Sequence, residues 1–211
     1  MKRKFIMLAS ICGIVAPIVS FGLIALLGYL TPGYNPMTDY ISELWSVGSR
    51  FEEIALFLLA LMGALFLVFS IGFYLAIDED KFSYYNFVLL TIFSLSLIFL
   101  GIFPCENNCS RNGFTIHLFF TIIACASLGF SPLLLFFTTY KDKKWKSFEK
   151  NNLIFFFFSA VFLIAYGLFH NEYKGFYQRA YFLTCFLWVE RVSIKLFKLS
   201  RISKNVKKRK K

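Results

Sequence analysis

The sequence predicts an all-α integral membrane protein: a bundle of six transmembrane helices with both termini in the cytoplasm. Of its 211 residues, 58% are hydrophobic and 17% are charged, whereas a soluble domain carries about 25% charged residues. The apolar residues are gathered in long runs, and the basic residues are concentrated in alternate loops. We therefore expect one membrane domain at 1–198, followed by a basic cytoplasmic tail at 199–211.

Six apolar runs are near or above the ~17–25 residues that a helix needs to cross about 30 Å of hydrocarbon. The first run follows three bases, as in a signal peptide. It is longer than the ~7–15 residues of a signal core, and no small-x-small cleavage site follows it, so we interpret it as a retained helix. The predicted spans are 5–30, 54–77, 84–103, 114–137, 153–168 and 176–196.

Loop charge predicts the orientation of these spans. With the termini and the even-numbered loops in the cytoplasm, 18 of the 23 Lys and Arg residues lie on that side, and Arg191 lies within the last span. This bias is typical of cytoplasmic loops. Because the bases lie in short loops and in the tail, we expect contact with membrane lipids and no nucleic-acid binding. The bases of the opposite face are Arg50, Arg111, Lys174 and Arg179.

The chain after Trp188 has a periodic pattern. Apolar residues recur there at spacings of three or four, and bases recur at every third position from Lys195 to Lys207. Two interpretations stay open. The segment is either a basic amphipathic helix that lies on an anionic inner leaflet or a positively charged flank that only fixes topology.

The longest polar interruption, residues 34–53, joins the first two spans on the outer side. Pro32, Gly33 and Pro36 predict a turn. Thr38 and Asp39 can then cap a short helix that ends near Trp45. We expect that helix to lie in the membrane interface, where it either shapes the mouth of a cavity or simply connects two spans.

Several polar residues of this face are candidates for a site. Ser42, His117 and a carboxylate such as Asp39 or Glu43 could form a nucleophile, a base and an orienting group. Ser42 lies in no known catalytic motif, so we treat Ser42 and His117 as weak catalytic candidates only. His170 lies near the same membrane plane as His117.

The third loop contains Cys105 and Cys109, which allow three interpretations: a disulfide, free thiols, or a metal site with His117. The C-x3-C-x7-H spacing matches no common zinc pattern, and we expect neither a metal nor another cofactor. The cysteines inside the spans are interpreted as small core residues: Cys12, Cys125 and Cys185.

Arg179 lies only a few residues inside the last span. The preferred interpretation is a structural ion pair with loop one, and the alternative is that Arg179 binds a lipid phosphate beside His117 or His170. The loop-one carboxylates within its reach are Glu43, Glu52 and Glu53.

Short motifs in a fixed order carry a resemblance to a known family. They are ISEL at Ile41–Leu44, GIFP at Gly101–Pro104, His117 early in the fourth span, and Gln178 and Arg179 ahead of Trp188. Over roughly residues 8–198 the chain resembles domain of unknown function 998, a family of small multi-span membrane proteins of bacteria and archaea. That family is similar in turn to eukaryotic six-span proteins of the autophagy-modulator type.

The resemblance implies six helices, a prokaryotic cell membrane and no established activity. It makes Ser42, Glu43, His117 and Arg179 candidates without assigned chemistry. Our first hypothesis is a non-enzymatic protein that binds lipid or organises a membrane complex at its outer face, through Glu43, His117, His170 and Arg179. The second is an intramembrane lipid hydrolase that uses Ser42 or a His-bound metal, and the third is a small transporter. A second copy of the chain or another membrane protein is left open as a partner.

Overall fold

The computed structural model describes residues 2–77, 80–106, 115–140, 144–169 and 173–208, with side chains described up to Arg201. All regular elements within these residues are helical. A short 3₁₀ helix, η1, spans Ile41–Trp45 between the first two long helices, and a 3₁₀ turn at Lys146–Phe148 precedes the fifth. The helices α1 to α6 span Lys2–Leu30, Glu52–Tyr74, Lys81–Ile102, Ile116–Thr139, Glu149–Leu168 and Lys174–Lys208.

The six helices form a closed ring. Each helix packs against the next one in the chain, and α6 packs against α1. Because short loops join antiparallel neighbours, successive loops alternate between the two ends of the bundle. We call the end that carries η1 the outer end and the opposite end the inner end.

Five of these helices, α1 to α5, are long and apolar enough to cross a membrane. The chain is therefore a helical membrane protein, and the predicted runs match these helices to within a few residues. In α6, charged residues such as Arg179, Glu190 and Arg191 interrupt the apolar sequence. A sixth span and cytoplasmic termini stay predictions.

Aromatic side chains fill the centre of the ring. Phe66, Phe69 and Phe73 of α2 are at most 1% exposed, and the rings of Phe66 and Phe93 meet edge to face with centroids 5.0 Å apart. Lipid chains are about as apolar as these side chains, so close packing holds the helices together rather than transfer from water. The ring surface carries the exposed apolar residues, as a lipid-facing surface requires.

Helices α2 and α3 approach each other closely at glycines. A Cβ atom added to Gly63 would lie 2.6 Å from the carbonyl oxygen of Ser94, and one added to Gly101 would lie 2.7 Å from that of Leu56. Small residues at such positions are typical of helix pairs within membranes.

A buried hydrogen-bonded group links α4, α5 and α6. The indole Nε1 of Trp188 donates to Oδ1 of Asn152 at 3.0 Å, and Nδ2 of Asn152 donates to the hydroxyl of Thr139 at 3.3 Å. All three residues are fully or almost fully buried. The group fixes α5, which otherwise buries little of its surface, against its two neighbours.

The inner end of the ring is filled by Trp145. This residue precedes α5, is fully buried, and meets the ring of Phe73 edge to face at 5.7 Å. The charged fourth loop thus contributes a large side chain to the core.

The described part of α6 bears on the two interpretations of the tail. Val192 and Leu196 are fully buried in the core and Leu199 packs against it, while Nε of Arg3 donates to the carbonyl oxygen of Ser200 at 2.7 Å. These three apolar residues therefore face the core, and the choice between the two interpretations depends on side chains after Arg201, which lie outside the described residues.

Candidate functional site

The short helix η1 is packed into the outer end of the ring. Ile41, Leu44 and Trp45 are between 1% and 8% exposed, and the backbone N–H of Ile41 donates to Oε1 of Gln178 at 2.8 Å. The apolar residues of this helix are therefore covered by the bundle, and its position in the membrane interface stays a prediction. Its N-cap is Tyr40 rather than Thr38 or Asp39.

Arg179 fixes loop one to α6. Its Nη1 donates to the carbonyl oxygens of Pro36 at 2.7 Å and Asp39 at 3.1 Å, as well as to Gly175 in its own helix, and its Nη2 donates to the hydroxyl of Tyr34. The predicted link between loop one and the last helix exists, but its acceptors are carbonyls and a phenol instead of carboxylates. The planar guanidinium suits this task because it presents several donors in fixed directions.

The carboxylate of Glu43 meets a different base. Nζ of Lys174 lies 3.4 Å from Oε1 of Glu43, and the same oxygen accepts from the backbone N–H of Tyr40 at 3.2 Å. The ammonium also lies 4.0 Å from the centre of the Tyr40 ring. Glu43 therefore helps to hold the first turn of η1 beside the start of α6.

Tyr34 completes this arrangement as a neutral phenol. Burial raises the pKa of Tyr34 to about 12, and the positive charge of Arg179 offsets only part of that rise. At neutral pH the hydroxyl therefore keeps its proton, which it donates to the carbonyl oxygen of Tyr40 at 3.0 Å.

Behind η1 lies an apolar cavity of about 80 Å³, which we call the deep compartment. It is lined by η1 and by helices α1, α2, α3, α4 and α6. Trp45 contributes to its wall, and the buried Nε1 of Trp45 has no hydrogen-bond partner among the described residues. The other apolar side chains of the wall include Ile24, Leu59, Met62, Leu97, Phe182 and Phe186.

A second cavity of about 330 Å³, the outer compartment, lies between η1 and helices α4 and α5. Its size is at the lower end of the range of ligand pockets, about 300–1,000 Å³. Its rim contains Tyr40, Glu106 and Tyr166. Four polar residues line both compartments and so form the boundary between them: Ser42, His117, Thr121 and Gln178.

The position of His117 follows from the start of α4. The Thr115 side chain caps that helix by accepting from the backbone N–H of Leu118 at 3.1 Å, and His117 lies in the first turn. Its Nδ1 is 3.0 Å from the carbonyl oxygen of Phe103. A carbonyl can only accept, so Nδ1 carries the proton and Nε2 of the neutral ring is an acceptor.

A backbone hydrogen bond also orients the amide of Gln178. Its Oε1 accepts from Ile41, which leaves the two N–H groups of Nε2 as donors at the boundary. The boundary thus presents an acceptor on His117 and donors on Gln178, next to an apolar compartment. Such a surface can hold the polar linkage of an amphipathic molecule.

The third loop is described in part. Cys105 is disulfide-bonded, while its predicted partner Cys109 and the ligand candidate His170 lie outside the described residues. The pairing of Cys105 with Cys109 stays a prediction. Within the described ranges, no group of three or more His, Cys, Asp or Glu residues could hold a metal ion.

The structure brings some of the predicted residues together and separates others. Ser42 and His117 line both compartments, whereas Glu43 and Arg179 are engaged in positioning loop one and line neither. The sequence predicted no role for Gln178, although this residue stands beside Arg179 in one of the short family motifs. Ile41 and His117, from two other motif segments, meet it at the boundary.

Comparison with known proteins gives the family. The chain matches the family described as "Protein of unknown function (DUF998)" over residues 14–194, which is most of its length. The chain is a member of the DUF998 family. The resemblance noted in the sequence is thereby confirmed, and three residues of its motifs, Ser42, His117 and Gln178, line both cavities of this DUF998 protein. No curated protein and no solved structure matches the chain.

Proposed function

We propose that this protein binds an acyl glycerolipid at its outer end, without a catalytic step. The end of an apolar chain enters the deep compartment. The amide of Gln178 donates to an ester carbonyl, and Nε2 of His117 accepts from a hydroxyl at the boundary. The proposal includes six spans, cytoplasmic termini and the cell membrane of a prokaryote.

One observation carries this proposal: a wall of apolar side chains ends at four polar residues that also open to a larger cavity. A lipid has the same sequence of properties along its length, from an apolar chain to a polar linkage. Transport, the third hypothesis, gains no support from the inner end, where Trp145 fills the core.

The experiment compares two matched threonines. Thr121 and Thr184 both donate their hydroxyls to the carbonyl four residues earlier in a helix, and only Thr121 lines the compartments. Native mass spectrometry of protein purified gently in its own lipids will show about one retained glycerolipid per chain. Thr121→Leu will reduce that retention several-fold, and Thr184→Leu will leave it unchanged. Equal retention in both variants would contradict the proposal.

A second candidate function is lipid ester hydrolysis, which the state of His117 favours. With its Nδ1–H held by the Phe103 carbonyl, Nε2 is available as a general base, and Ser42 lines the same boundary. Gln178 could donate to the oxyanion. Hydrolysis of a monoacylglycerol by the purified protein that is lost in Ser42→Ala would place this function first. Lipid retention with no hydrolysis would favour binding alone.

A further inference from the structure

The deep compartment is closed on the side away from η1. On each helix that lines it, the lining residues lie in the half nearer the outer end. The innermost of them on α2, α3 and α6 are Met62, Leu97 and Phe186, which are at most 7% exposed. We call these three residues the floor.

Aromatic side chains lie directly beneath the floor. Phe66 lies one helical turn further in than Met62, and Phe93 lies one turn further in than Leu97. Both phenylalanines are at most 1% exposed. The ring centroid of Phe66 lies 5.5 Å from that of Phe186 and 5.0 Å from that of Phe93. Among the described residues, the compartment therefore ends at the floor.

The helices that carry Met62 and Leu97 are held close together. A Cβ atom added at Gly63, next to Met62, would lie 2.6 Å from the carbonyl oxygen of Ser94 on α3. Close packing of this kind fixes the separation of two helices within a membrane. The part of the floor that α2 and α3 contribute is therefore rigid.

The size of the compartment limits what can enter it. Its volume is about 80 Å³, whereas an apolar protein cavity of about 150 Å³ holds benzene, a molecule of six carbon atoms. In proportion, the deep compartment holds roughly three carbon atoms. An acyl group that lies inside it, with its carbonyl at the polar boundary, is therefore short.

Both ends of such a group have a fixed place. The N–H donors of Gln178 hold the carbonyl at the boundary, and the floor stops the last carbon. The lipid around the protein is as apolar as the compartment, so additional methylene groups gain little by moving into it. A longer chain would have to displace tightly packed side chains, which costs free energy.

We propose that the deep compartment selects a short acyl group, of roughly four carbons including the carbonyl, and that Met62 and Leu97 set this limit. This inference rests on the proposed function and names its ligand class: a glycerolipid that carries one short acyl ester. The rest of the lipid stays on the outer-compartment side of the boundary.

Leu90 provides a matched control for Leu97. The two leucines lie two turns apart on the same face of α3 and are 1% and 7% exposed, but only Leu97 lines the compartment. Leu97→Ala therefore deepens the compartment, whereas Leu90→Ala only loosens the core beneath it. Met62→Ala enlarges the compartment from α2 and keeps the test possible if Leu97→Ala does not fold.

Full-length protein is placed in nanodiscs with an equimolar series of glycerolipids. The members share one long ether-linked chain and differ in a single acyl ester, from acetyl to octanoyl, so native mass spectrometry identifies each retained member by its mass. We expect the wild-type protein to retain the butanoyl ester about tenfold over the octanoyl ester. Leu97→Ala and Met62→Ala should each move the preferred acyl group roughly two to three carbons longer, and Leu90→Ala should leave the preference unchanged.

Two results would overturn this inference and leave the proposed function in place, provided that Thr121→Leu still lowers lipid retention. One is equal retention of all members of the series by the wild-type protein. The other is the same shift in Leu90→Ala as in Leu97→Ala, which would mean that general loosening of the core sets the preference. A wild-type protein that retains no lipid, from the series or from its own membrane, would contradict the proposed function and this inference together.

Discussion

The ring of His117 is joined to the carbonyl of Phe103 by a hydrogen bond of 3.0 Å from Nδ1 to the oxygen. This bond joins the two ends of the third loop and fixes the tautomer of the histidine, which lines both the deep and the outer compartment. Substitutions that remove one ring nitrogen or both can therefore distinguish the effect of His117 on stability from its effect on lipid binding.

His117→Asn keeps a donor near the position of Nδ1 and removes Nε2, whereas His117→Leu removes both. We expect His117→Leu to lower the free energy of unfolding by roughly 0.5–1.5 kcal/mol, because the hydrogen bond to the Phe103 carbonyl is lost. His117→Asn should cost less than about 1 kcal/mol, and both variants should lose the outer lipid. Thermal unfolding and native mass spectrometry give the two readouts. Normal lipid retention by His117→Asn would show that Nε2 takes no part in binding.

Arg179→Lys should fail to replace arginine. A single ammonium cannot reach the carbonyls of Pro36 and Asp39 and the Tyr34 hydroxyl together, so this part of loop one will be held less tightly against α6. We expect a loss of roughly 1–3 kcal/mol and faster protease cleavage within residues 31–51 in vesicles. Arg50→Lys is the control, because Arg50 is exposed and, among the described residues, its guanidinium lies over the ring of Phe51. Comparable cleavage of the two variants would contradict this role of Arg179.

Tyr34 predicts a pH dependence at alkaline pH. Its folded pKa of about 12 exceeds the ordinary value of about 10, so the unfolded chain loses this proton first. The stabilisation from the protonated phenol is fully present below about pH 10 and is lost as the pH rises towards 12. The difference in unfolding free energy between wild type and Tyr34→Phe should shrink over that window. A difference that stays constant from pH 9 to 12 would mean that Tyr34 titrates normally.

Two glycines of α1 give a matched test of close helix packing. A Cβ at Gly13 would overlap Oγ of Ser193 and the ring of Phe69, while one at Gly22 would meet nothing within 4 Å. Gly13→Ala should destabilise the protein by roughly 1–3 kcal/mol. Gly22→Ala should be neutral or stabilising by up to about 1 kcal/mol, since alanine favours helix. The measurement is thermal unfolding of both variants in the same detergent. Equal shifts in melting temperature would contradict the close approach at Gly13.

Asn152→Leu should cost roughly 1–3 kcal/mol, because the buried Nε1 of Trp188 and the hydroxyl of Thr139 lose their partner. Adding Trp188→Phe removes one of those unpaired groups, so the double variant should lose less than the sum of the single variants. A double-mutant cycle measured by chemical unfolding gives this coupling, and strict additivity would mean that the two residues do not interact.

Much of the fold was predictable, because a helix in lipid must be apolar over a length set by the bilayer. The apolar runs that form α1 to α5 could be predicted from the sequence for that reason. The role of Gln178 was not visible, since it depends on a hydrogen bond to Ile41, 137 residues away. Trp145 lies among charged loop residues, and only the packed structure reveals that it fills the core.

The closure of the ring between α1 and α6 has a consequence for biosynthesis. Ser20 and Ile24 of α1 and Gln178 and Phe182 of α6 line the same deep compartment, yet the ribosome makes these helices at opposite ends of the chain. The compartment cannot form until α6 packs against α1, and before that contact is made the close-packing face of α1 around Gly13 has no partner from α6. The deep compartment is therefore a product of the last helix-packing step of the bundle, and a chain in which that step fails exposes a helix face that is built for close packing.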